Sequence, residues 1–411
     1  MPRSQRARSS RALANDEAIL EAGVAEVLRV GVDHVSLRDV GHRAGLTHGA
    51  TYARYEDVDE LLVDLWNSVL CARAILMFEL CMSAAEQPDT VGAIFEFMRD
   101  TTPADVASIR LLLTARRIPT LHEEVEPFIH NYLERESLSS PDVSATHTRG
   151  ITIFAMMIVQ IIADVQFGQD QSYQAVLQSL LFETLTTDPG DVGEVQLHDR
   201  DDGIVLPPGD DLRTELAHAT FRVVGKSGYT RATISRIARR ANCSPGAIYK
   251  LYPSKEDLVI AAFNDLMRAR WMRVSDFVDV LQEGSITQLL YSASSSNNSV
   301  RQSFTLETAL AASQSERLRL AILNQLSELQ ALIPLLSNIS DDERERLGYL
   351  IRSIMFITIG VTFLSTVVTS MQATNFNQFA EPFRRAILKD GVPTWSEMSR
   401  QMLELVNSRG Y

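Results

Sequence analysis

The sequence predicts an all-helical, globular protein of at least two domains, and three observations support this prediction. Apolar residues recur at spacings of three and four through most of the chain, whereas few windows alternate with the period of two that is typical of strands. The composition, 45% apolar and 22% charged, is that of a globular protein. A length of 411 residues exceeds what one hydrophobic core usually carries, so we expect at least two domains.

One sequence pattern occurs twice, 197 residues apart. Residues 45–61 are GLTHGATYARYEDVDEL, and residues 242–258 are NCSPGAIYKLYPSKEDL. The shared positions are Gly31 and Gly228, Ser36 and Thr233, Ala44 and Ala241, Gly49 and Gly246, Tyr52 and Tyr249, and Tyr55 and Tyr252. A repeat of this kind indicates two copies of one structural unit.

The repeated pattern predicts short helices joined by a tight turn. In the second copy Thr233 is placed to cap a helix of about two turns, and Asn242 suits the left-handed residue that ends it. Ser244 then caps a third helix, with Pro245 at its first position, where a missing N–H is tolerated. A turn of this length between two short helices is typical of a helix-turn-helix.

The first copy offers the same signals, and both copies lead into a fourth helix. Gly45 supplies its left-handed turn and Thr47 its cap. The fourth helix is expected to start with the capping pair Asp57 and Glu60 in the first copy, and with Ser254 and Asp257 in the second.

Longer amphipathic helices follow each copy. They are predicted near 60–82, 90–116, 119–138, 143–168 and 171–187 in the first half, and near 256–282, 286–312, 314–336, 341–372 and 376–408 in the second. Residues 188–211, DPGDVGEVQLHDRDDGIVLPPGDD, are rich in Pro, Gly and Asp, as linkers are. The predicted domains are a first helix-turn-helix domain with a basic arm at 1–60, a first helical regulatory domain at 61–187, a linker at 188–211, a second helix-turn-helix domain at 212–257 and a second helical regulatory domain at 258–411.

Both copies resemble the N-terminal DNA-binding domain of TetR-family transcriptional regulators. The resemblance rests on SLRDVGHRAGLTHGATYARY at 36–55 and TISRIARRANCSPGAIYKLYPSKEDL at 233–258. It implies a recognition helix that binds double-stranded DNA, a small-molecule effector in the helical part, and pairing of the last two long helices of each unit. A typical member has about half this length and works as a homodimer. The chain therefore resembles two members fused in tandem, and we expect an intramolecular pseudo-dimer and, from the family's usual mode, a ligand-responsive repressor.

The predicted DNA-contacting residues surround the two recognition helices. They are Ser36, Thr47, His48, Gly49, Ala50, Tyr52 and Arg54 in the first copy, and Thr233, Ser244, Pro245, Gly246, Ala247, Tyr249, Lys250 and Lys255 in the second. Small residues let the backbone approach a groove closely, and the resemblance implies that Tyr52 and Tyr249 contact phosphates. By contrast, Tyr55 and Tyr252 are expected to pack behind the recognition helices.

An arginine-rich arm precedes the first copy. Its members are Arg3, Arg6, Arg8 and Arg11. Two interpretations stay open for it, contact with a neighbouring minor groove and a solvated tail.

Charge is distributed unevenly along the chain. The net charge of −13 would disfavour a polyanionic partner if it were spread evenly. Between residues 210 and 273, however, twelve Lys and Arg face six Asp and Glu. Lys250 and Lys255 correspond to Ala53 and Val58 in the first copy, so we expect the second copy to supply more of the electrostatic affinity. Because the two heads differ, we expect them to prefer an asymmetric operator.

Aromatic residues in the long helices allow an effector pocket, but they fit a hydrophobic core as well. The candidates are Trp66, Phe78, Phe95, Phe263, Trp271 and Phe304. Their character indicates an apolar effector, whose identity the sequence does not give.

Other function classes find little support. No nucleophile elbow, phosphate-binding loop, zinc-protease helix or dinucleotide fingerprint occurs, so we expect no enzyme and no cofactor. The three cysteines show no metal-binding spacing, which predicts neither a metal site nor disulfides and agrees with a cytoplasmic protein. The apolar runs Ile151–Phe167 and Ile354–Val368 are short and interrupted, so we expect buried helices and no membrane. The remaining alternative is a helical interaction or ligand-sensing protein in which one DNA-binding head is degenerate.

Overall fold

The computed structural model describes residues 10–134, 141–188, 212–271, 286–295, 299–330 and 340–379, together with residues 381, 382 and 385. Across these ranges the chain is helical and contains no strand, which confirms the all-helical prediction. The helices of the first half are α1 (Ser10–Val30), α2 (Leu37–Arg43), α3 (His48–Tyr52), α4 (Val58–Leu65), α5 (Cys71–Glu86), α6 (Val91–Arg99), α7 (Pro103–Thr114), α8 (Pro119–Phe128), α9 (Pro141–Phe167) and α10 (Gln171–Thr186). Those of the second half are α11 (Leu212–Arg231), α12 (Ile234–Arg240), α13 (Pro245–Leu251), α14 (Lys255–Trp271), α15 (Ile286–Ser294), α16 (Ser299–Ala312), α17 (Glu316–Gln330) and α18 (Asp341–Leu364).

Several predicted long helices are divided. The stretch predicted as one helix at 90–116 forms α6 and α7, because Thr102 caps a new helix that has Pro103 at its first position. The predicted helix at 286–312 forms α15 and α16. Of the helix predicted at 376–408, the described start is the 3₁₀ turn Phe376–Phe379, and most of the remainder lies outside the described residues.

The chain divides into two compact units. The first comprises Met1–Leu76 and Thr101–Tyr132, and the second comprises Met77–Asp100 and Leu133–Tyr411. The first border between these units therefore lies within α5. The predicted domains, with borders at 60 and 187, stay a prediction. The predicted linker at 188–211 lies outside the described residues, apart from Asp188.

In the first unit, two arginines join the end of α1 to the helices behind it. The last carbonyls of a helix lack partners within it. The guanidinium of Arg110, a buried residue of α7, donates to the carbonyls of Val27 and Leu28 at 2.9 Å each. Arg117 forms two further hydrogen bonds, of 2.9 and 3.0 Å, with the carboxylate of Asp33 directly after α1. These contacts fix α1 to the helical body of its unit.

In the second unit, α9 of the first half packs against α18 of the second half. The helices run antiparallel, because Ala155 lies beside Gly360 while Asp170, just beyond α9, lies beside Arg352. A Cβ atom at Gly360 would stand 2.1 Å from the carbonyl oxygen of Ala155, so only glycine allows this approach. Arg352 pairs with Asp170 at 3.0 Å and lies 3.9 Å from the ring centroid of Tyr173.

The second half has an aromatic core of its own behind its helix-turn-helix. Phe221 of α11 and Phe304 of α16 are buried with ring centroids 4.8 Å apart, and Phe263 of α14 joins the same cluster. Gly225 allows α11 to lie close to α16, since a Cβ there would be 3.0 Å from the carbonyl oxygen of Val300.

Within the described ranges, three helical stretches are long and apolar enough to cross a membrane, by length and composition alone: Val58–Glu86, Ala145–Phe167 and Arg344–Leu364. Ala145–Phe167 contains the apolar run Ile151–Phe167, and Arg344–Leu364 contains residues 354–364 of the run Ile354–Val368, so length does not exclude a span for either stretch. Their burial favours helices packed inside the protein, because 78% of the most apolar window of Ala145–Phe167 and 76% of that of Arg344–Leu364 is buried.

Candidate nucleic-acid interface

Each copy of the repeat folds into two short helices joined by a tight turn, with side-chain caps at the predicted positions. In the first copy the hydroxyl of Ser36 accepts from the amide of Asp39 at 3.1 Å, and that of Thr47 accepts from the amide of Ala50 at 3.3 Å. These caps satisfy amides that have no partner inside the helix. They therefore fix where α2 and α3 begin.

The second copy has the same caps. Thr233 accepts from the amide of Arg236 at 3.3 Å, and Ser244 accepts from the amide of Ala247 at 3.2 Å. Pro245 occupies the first position of α13, as predicted. The hydroxyls of Thr233 and Ser244 are thus engaged with backbone amides within their own copy.

Backbone torsion angles agree between the copies where the chain must turn. Gly31 has φ 76° and ψ 160°, and Gly228 has φ 79° and ψ 158°, which are values that favour glycine. The turn between the two short helices begins with a left-handed residue in both copies, Gly45 with φ 68° and Asn242 with φ 52°. The positions 197 residues apart therefore share caps and conformations as well as residue types.

The four tyrosines of the pattern divide by burial, as the sequence analysis expected. The side chains of Tyr52 and Tyr249 are 47% and 55% exposed, whereas Tyr55 and Tyr252 are buried. Burial, reinforced by the neighbouring carboxylate of Asp64, raises the pKa of Tyr55, whose hydroxyl donates to that carboxylate at 2.7 Å. Tyr52 and Tyr249 are thus accessible from solvent, whereas Tyr252 packs behind α13 in the apolar cluster that includes Ile248.

The first turns of α3 and α13 are open to close approach. Gly49, Ala50 and Gly246 are exposed. A Cβ at Gly49 would meet nothing within 4 Å, and one at Gly246 only the hydroxyl oxygen of Ser244 at 3.8 Å. A surface can therefore come close to the backbone at both positions.

In the first copy, carboxylates of the same unit neutralise the cations near the recognition helix. Glu26 is buried and binds two guanidinium groups, that of Arg29 at 2.6 Å and that of Arg43 at 2.7 Å. The hydrogen bond from Arg29 is the main reason that the pKa of Glu26 lies below its ordinary value. Arg54, a predicted DNA contact, pairs with Asp16 at 3.2 Å and with Asp64 at 3.0 Å. Arg54 must leave these partners to reach a phosphate.

The second copy lacks these carboxylates. At the positions 197 residues further on, Val223 corresponds to Glu26, Arg213 to Asp16, and Ala261 to Asp64. Residues 233–252 carry Arg236, Arg239, Arg240 and Lys250 and no acid, and all four cations are exposed. Residues 36–55 carry Arg38, Arg43 and Arg54 together with Asp39. The second copy therefore presents the stronger positive charge.

Lys255 is held in place within its copy. Its ammonium donates to the backbone carbonyl of Tyr229 at 2.9 Å and lies 4.1 Å from the centroid of the Tyr229 ring. Partial burial lowers the pKa of Lys255. The phosphate contact predicted for Lys255 stays a prediction, and it requires the ammonium to exchange the Tyr229 carbonyl for a phosphate.

Sequence reasoning left three exposed cations out of the predicted site, Arg236, Arg239 and Arg240 of α12. A sequence pattern could have identified them, since the three arginines lie between and after Ile234 and Ile237, whose side chains are buried. This is the spacing of a helix with one apolar and one exposed face. Arg236 also donates to the carbonyl of Arg231 at 3.1 Å.

Some predicted site residues lie outside the described part of the chain. These are Arg3, Arg6 and Arg8, and the side chains of Arg11, His48 and Trp271.

The predicted pocket aromatics that the structure describes belong to the hydrophobic core. Trp66 is fully buried, donates to the carbonyl of Glu124 at 3.1 Å and packs edge-on against Phe128. Phe78 packs edge-on against Phe154, and Phe95 is buried. Phe263 and Phe304 share the aromatic core described above. Among the described residues, no group of three or more His, Cys, Asp and Glu is arranged to hold a metal ion.

Comparison with known proteins gives a family match within the second half of the chain and several similar relatives. Residues 216–262 match the family described as bacterial regulatory proteins, tetR family. Two uncharacterised HTH-type transcriptional regulators, from Mycobacterium bovis and Mycobacterium tuberculosis, are 38% identical over 61 residues, which is 15% of this chain and 30% of each relative. The fatty acid metabolism regulator protein of Bacillus subtilis is 32% identical over 53 residues, 13% of this chain and 27% of that protein. The chain thus spans less than a third of the curated relatives it matches, and the similarity supports a TetR-type helix-turn-helix of a transcriptional regulator.

Proposed function

We propose that this chain is a cytoplasmic, non-enzymatic transcriptional regulator of the TetR type, built from two TetR-like units fused in tandem, which binds double-stranded DNA. We further propose that it is a ligand-responsive repressor, which acts by occluding the DNA it occupies. The predicted site residues around α3 and α13 carry this proposal, extended by the three exposed arginines of α12.

The observation that carries the proposal is the exposed surface of the second helix-turn-helix. Tyr249, Lys250 and the α12 arginines stand in solvent around a capped short helix whose sequence matches a family of DNA-binding regulators. Cations on such a surface release counterions when they meet phosphates, which supplies affinity without reading sequence. The residues at the open first turn of α13 are then available to base edges.

The tandem arrangement and the pseudo-dimer are parts of the same proposal. The shared caps and the matching torsion angles of the two copies support two related heads. The antiparallel packing of α9 against α18 supports pairing of long helices from the two halves, in the manner of a dimer interface. Because the heads differ in charge and in recognition-helix sequence, the operator is expected to have two unlike half-sites.

A selection from random-sequence duplexes with the intact protein tests this proposal. We expect an enriched site with two unlike halves. The variant Tyr249→Ala should lose one half and Tyr52→Ala the other, because each tyrosine is exposed on its own recognition helix. A perfect palindrome would refute the asymmetric operator, and no enrichment at any salt concentration would refute DNA recognition.

Salt dependence tests the electrostatic role of the second head. The double variant Arg239→Ala/Arg240→Ala removes two exposed cations, so the slope of log K against log salt concentration should become shallower by about 1.8 on B-DNA. Arg344→Ala, which removes an arginine paired with Asp341 outside both heads, is the matched control and should leave the slope unchanged. Equal slopes for all three proteins would refute phosphate contact by α12.

The alternative function is an interaction or ligand-sensing protein with a degenerate first head. It is favoured by one observation, the neutralisation of Arg43 and Arg54 by carboxylates of their own unit. If Tyr52→Ala changes neither the selected site nor the affinity while Tyr249→Ala abolishes binding, the first head does not read DNA and this alternative replaces the two-headed reader.

A further inference from the structure

The second unit contains a small cavity of about 30 Å³ between helices of the two halves. Its walls are formed by α9 and α10 on the side of the first half, and by α15, α18 and Phe379 on the side of the second. Every residue that lines it is buried. A molecule in this cavity would therefore touch both halves at once.

The described walls of the cavity offer a ligand no free hydrogen-bond donor. Its described walls contain no charged residue, and their only polar side chains are Thr152 and Thr184. Both hydroxyls are already used, because Thr152 donates to the carbonyl of Thr148 at 2.8 Å and Thr184 to that of Leu180 at 2.7 Å. A buried water needs two to four polar partners, so a cavity with these walls stays dry and favours apolar molecules.

The size of the cavity limits what can enter without a change in packing. It is several times smaller than an apolar cavity of about 150 Å³ that binds benzene, so a ligand of several carbon atoms must widen it. Met156 is one wall residue, and its flexible side chain can adapt. Met156 also follows Ala155, whose carbonyl oxygen faces Gly360, while Ile357 of the opposite wall lies less than one turn before Gly360. A ligand that widens the cavity would therefore displace α9 and α18 from each other where Ala155 contacts Gly360.

We infer that this cavity is a binding site for a small, wholly apolar molecule, such as a short aliphatic or alicyclic hydrocarbon, and that its occupation alters the packing of α9 on α18. The regulatory part of this inference, an effect on DNA affinity, rests on the proposed function, whereas binding to the cavity does not. The predicted pocket aromatics whose side chains the structure describes are packed into the core, so this junction is a better place for an apolar effector than the positions of those aromatics.

Xenon tests the cavity directly, because it binds apolar cavities and needs no hydrogen bonds. Crystals of the intact protein under xenon pressure should show xenon between α10 and α15. Leu181→Phe, which enlarges a wall side chain, should abolish that occupancy. Leu320→Phe, at a residue 48% exposed on α17, is the matched control and should retain it. Leu290→Phe, from the opposite wall, replaces Leu181→Phe if that variant fails to fold. Absence of xenon from the wild-type site, or equal occupancy in the wall variants, would overturn the inference.

Cyclohexane tests the regulatory part. In buffer saturated with cyclohexane, the affinity of the wild-type protein for its selected duplex should change by about fivefold or more, the lower range of allosteric coupling, and that of Leu181→Phe should not. An unchanged wild-type affinity would overturn the regulatory role while leaving the xenon site intact. Failure to bind any duplex without cyclohexane would refute the proposed function, and the xenon result would still decide the cavity.

Discussion

Replacing Gly360 by alanine should loosen the junction between α9 and α18. The added Cβ would lie 2.1 Å from the carbonyl oxygen and 2.4 Å from the carbonyl carbon of Ala155. Ordinary contacts start near 3.4 Å, so the helices must separate locally by about 1 Å or the methyl group must overlap the backbone of α9. Neither backbone atom can rotate away, in contrast to the end of a flexible side chain.

The expected cost follows from two opposing terms. Overpacking of this kind destabilises by about 1–3 kcal/mol. Alanine is favoured over glycine inside a helix by about 0.5–1 kcal/mol, which offsets part of that cost. The net loss of stability is therefore about 1–2 kcal/mol, which corresponds to a decrease of about five- to thirtyfold in the protection of amides that exchange by separation of the two helices.

Hydrogen exchange of the intact protein, followed by mass spectrometry on peptides from α9 and α18, measures this decrease locally. Gly92→Ala is the matched control, since its Cβ would meet only the side-chain amide of Gln178 at 3.4 Å. In that variant the amide protection of α9 and α18 should stay equal to that of the wild type or rise. The double variant Gly360→Ala/Ala155→Gly should not recover, because the clash is with the backbone of residue 155. Recovery in that double variant, or unchanged protection in Gly360→Ala, would refute the reasoning.

Three further variants test other features. Asp164→Asn should stabilise the protein above pH 6. Burial raises the pKa of Asp164 to about 6, so the free-energy penalty for its ionised form builds up between about pH 4 and pH 6. Urea unfolding at pH 7.5 and at pH 4.5 should therefore show the larger gain in stability at pH 7.5. Gly41→Ala should lower the urea midpoint, because its Cβ would meet the hydroxyl oxygen of buried Thr51 between α2 and α3. Lys255→Ala should make the salt slope of DNA binding shallower by about 0.9 and lower the unfolding free energy by about 1 kcal/mol, since the hydrogen bond to Tyr229 is lost too.

Each of these variants has an outcome that contradicts its premise. An equal gain for Asp164→Asn at both pH values would mean that burial does not raise the pKa of Asp164. For Gly41→Ala the control is Gly49→Ala, whose Cβ would meet nothing within 4 Å, and equal midpoints for the two would show that Thr51 simply turns away. A stability loss in Lys255→Ala with an unaltered salt slope would show that the lysine is structural.

The local features of the repeat could be predicted from sequence because they depend on neighbours in the chain. A capping hydroxyl acts on an amide three residues later, as Thr47 and Thr233 do, and a left-handed turn needs one suitable residue, as at Asn242. The exposure of Tyr52 at the end of α3 and the burial of Tyr55, three residues further on, were expected from the place of each tyrosine in the repeated pattern.

The rest of the site depends on groups that are distant in sequence. No local pattern indicates that Asp16 lies beside Arg54, 38 residues later, or that Lys255 reaches the carbonyl of Tyr229. The division at Thr102 was readable from its cap and from Pro103, but the predicted 90–116 helix gave more weight to apolar spacing. The cavity between the halves depends on packing, to which α9, α10, α15 and α18 all contribute, so no local sequence pattern indicates it.

The two heads can differ in charge because they belong to one chain. In a homodimer every substitution occurs in both heads at once, whereas in a tandem chain one head can change alone. Here Glu26, Asp16 and Asp64 neutralise cations of the first head, while Val223, Arg213 and Ala261 stand at the corresponding positions of the second. If both heads carried the carboxylates, little electrostatic affinity would remain, and if neither did, strong phosphate binding would reduce the weight of base contacts. Under the proposed function, we therefore expect the second copy to supply most of the affinity for DNA and the first copy to discriminate among sequences.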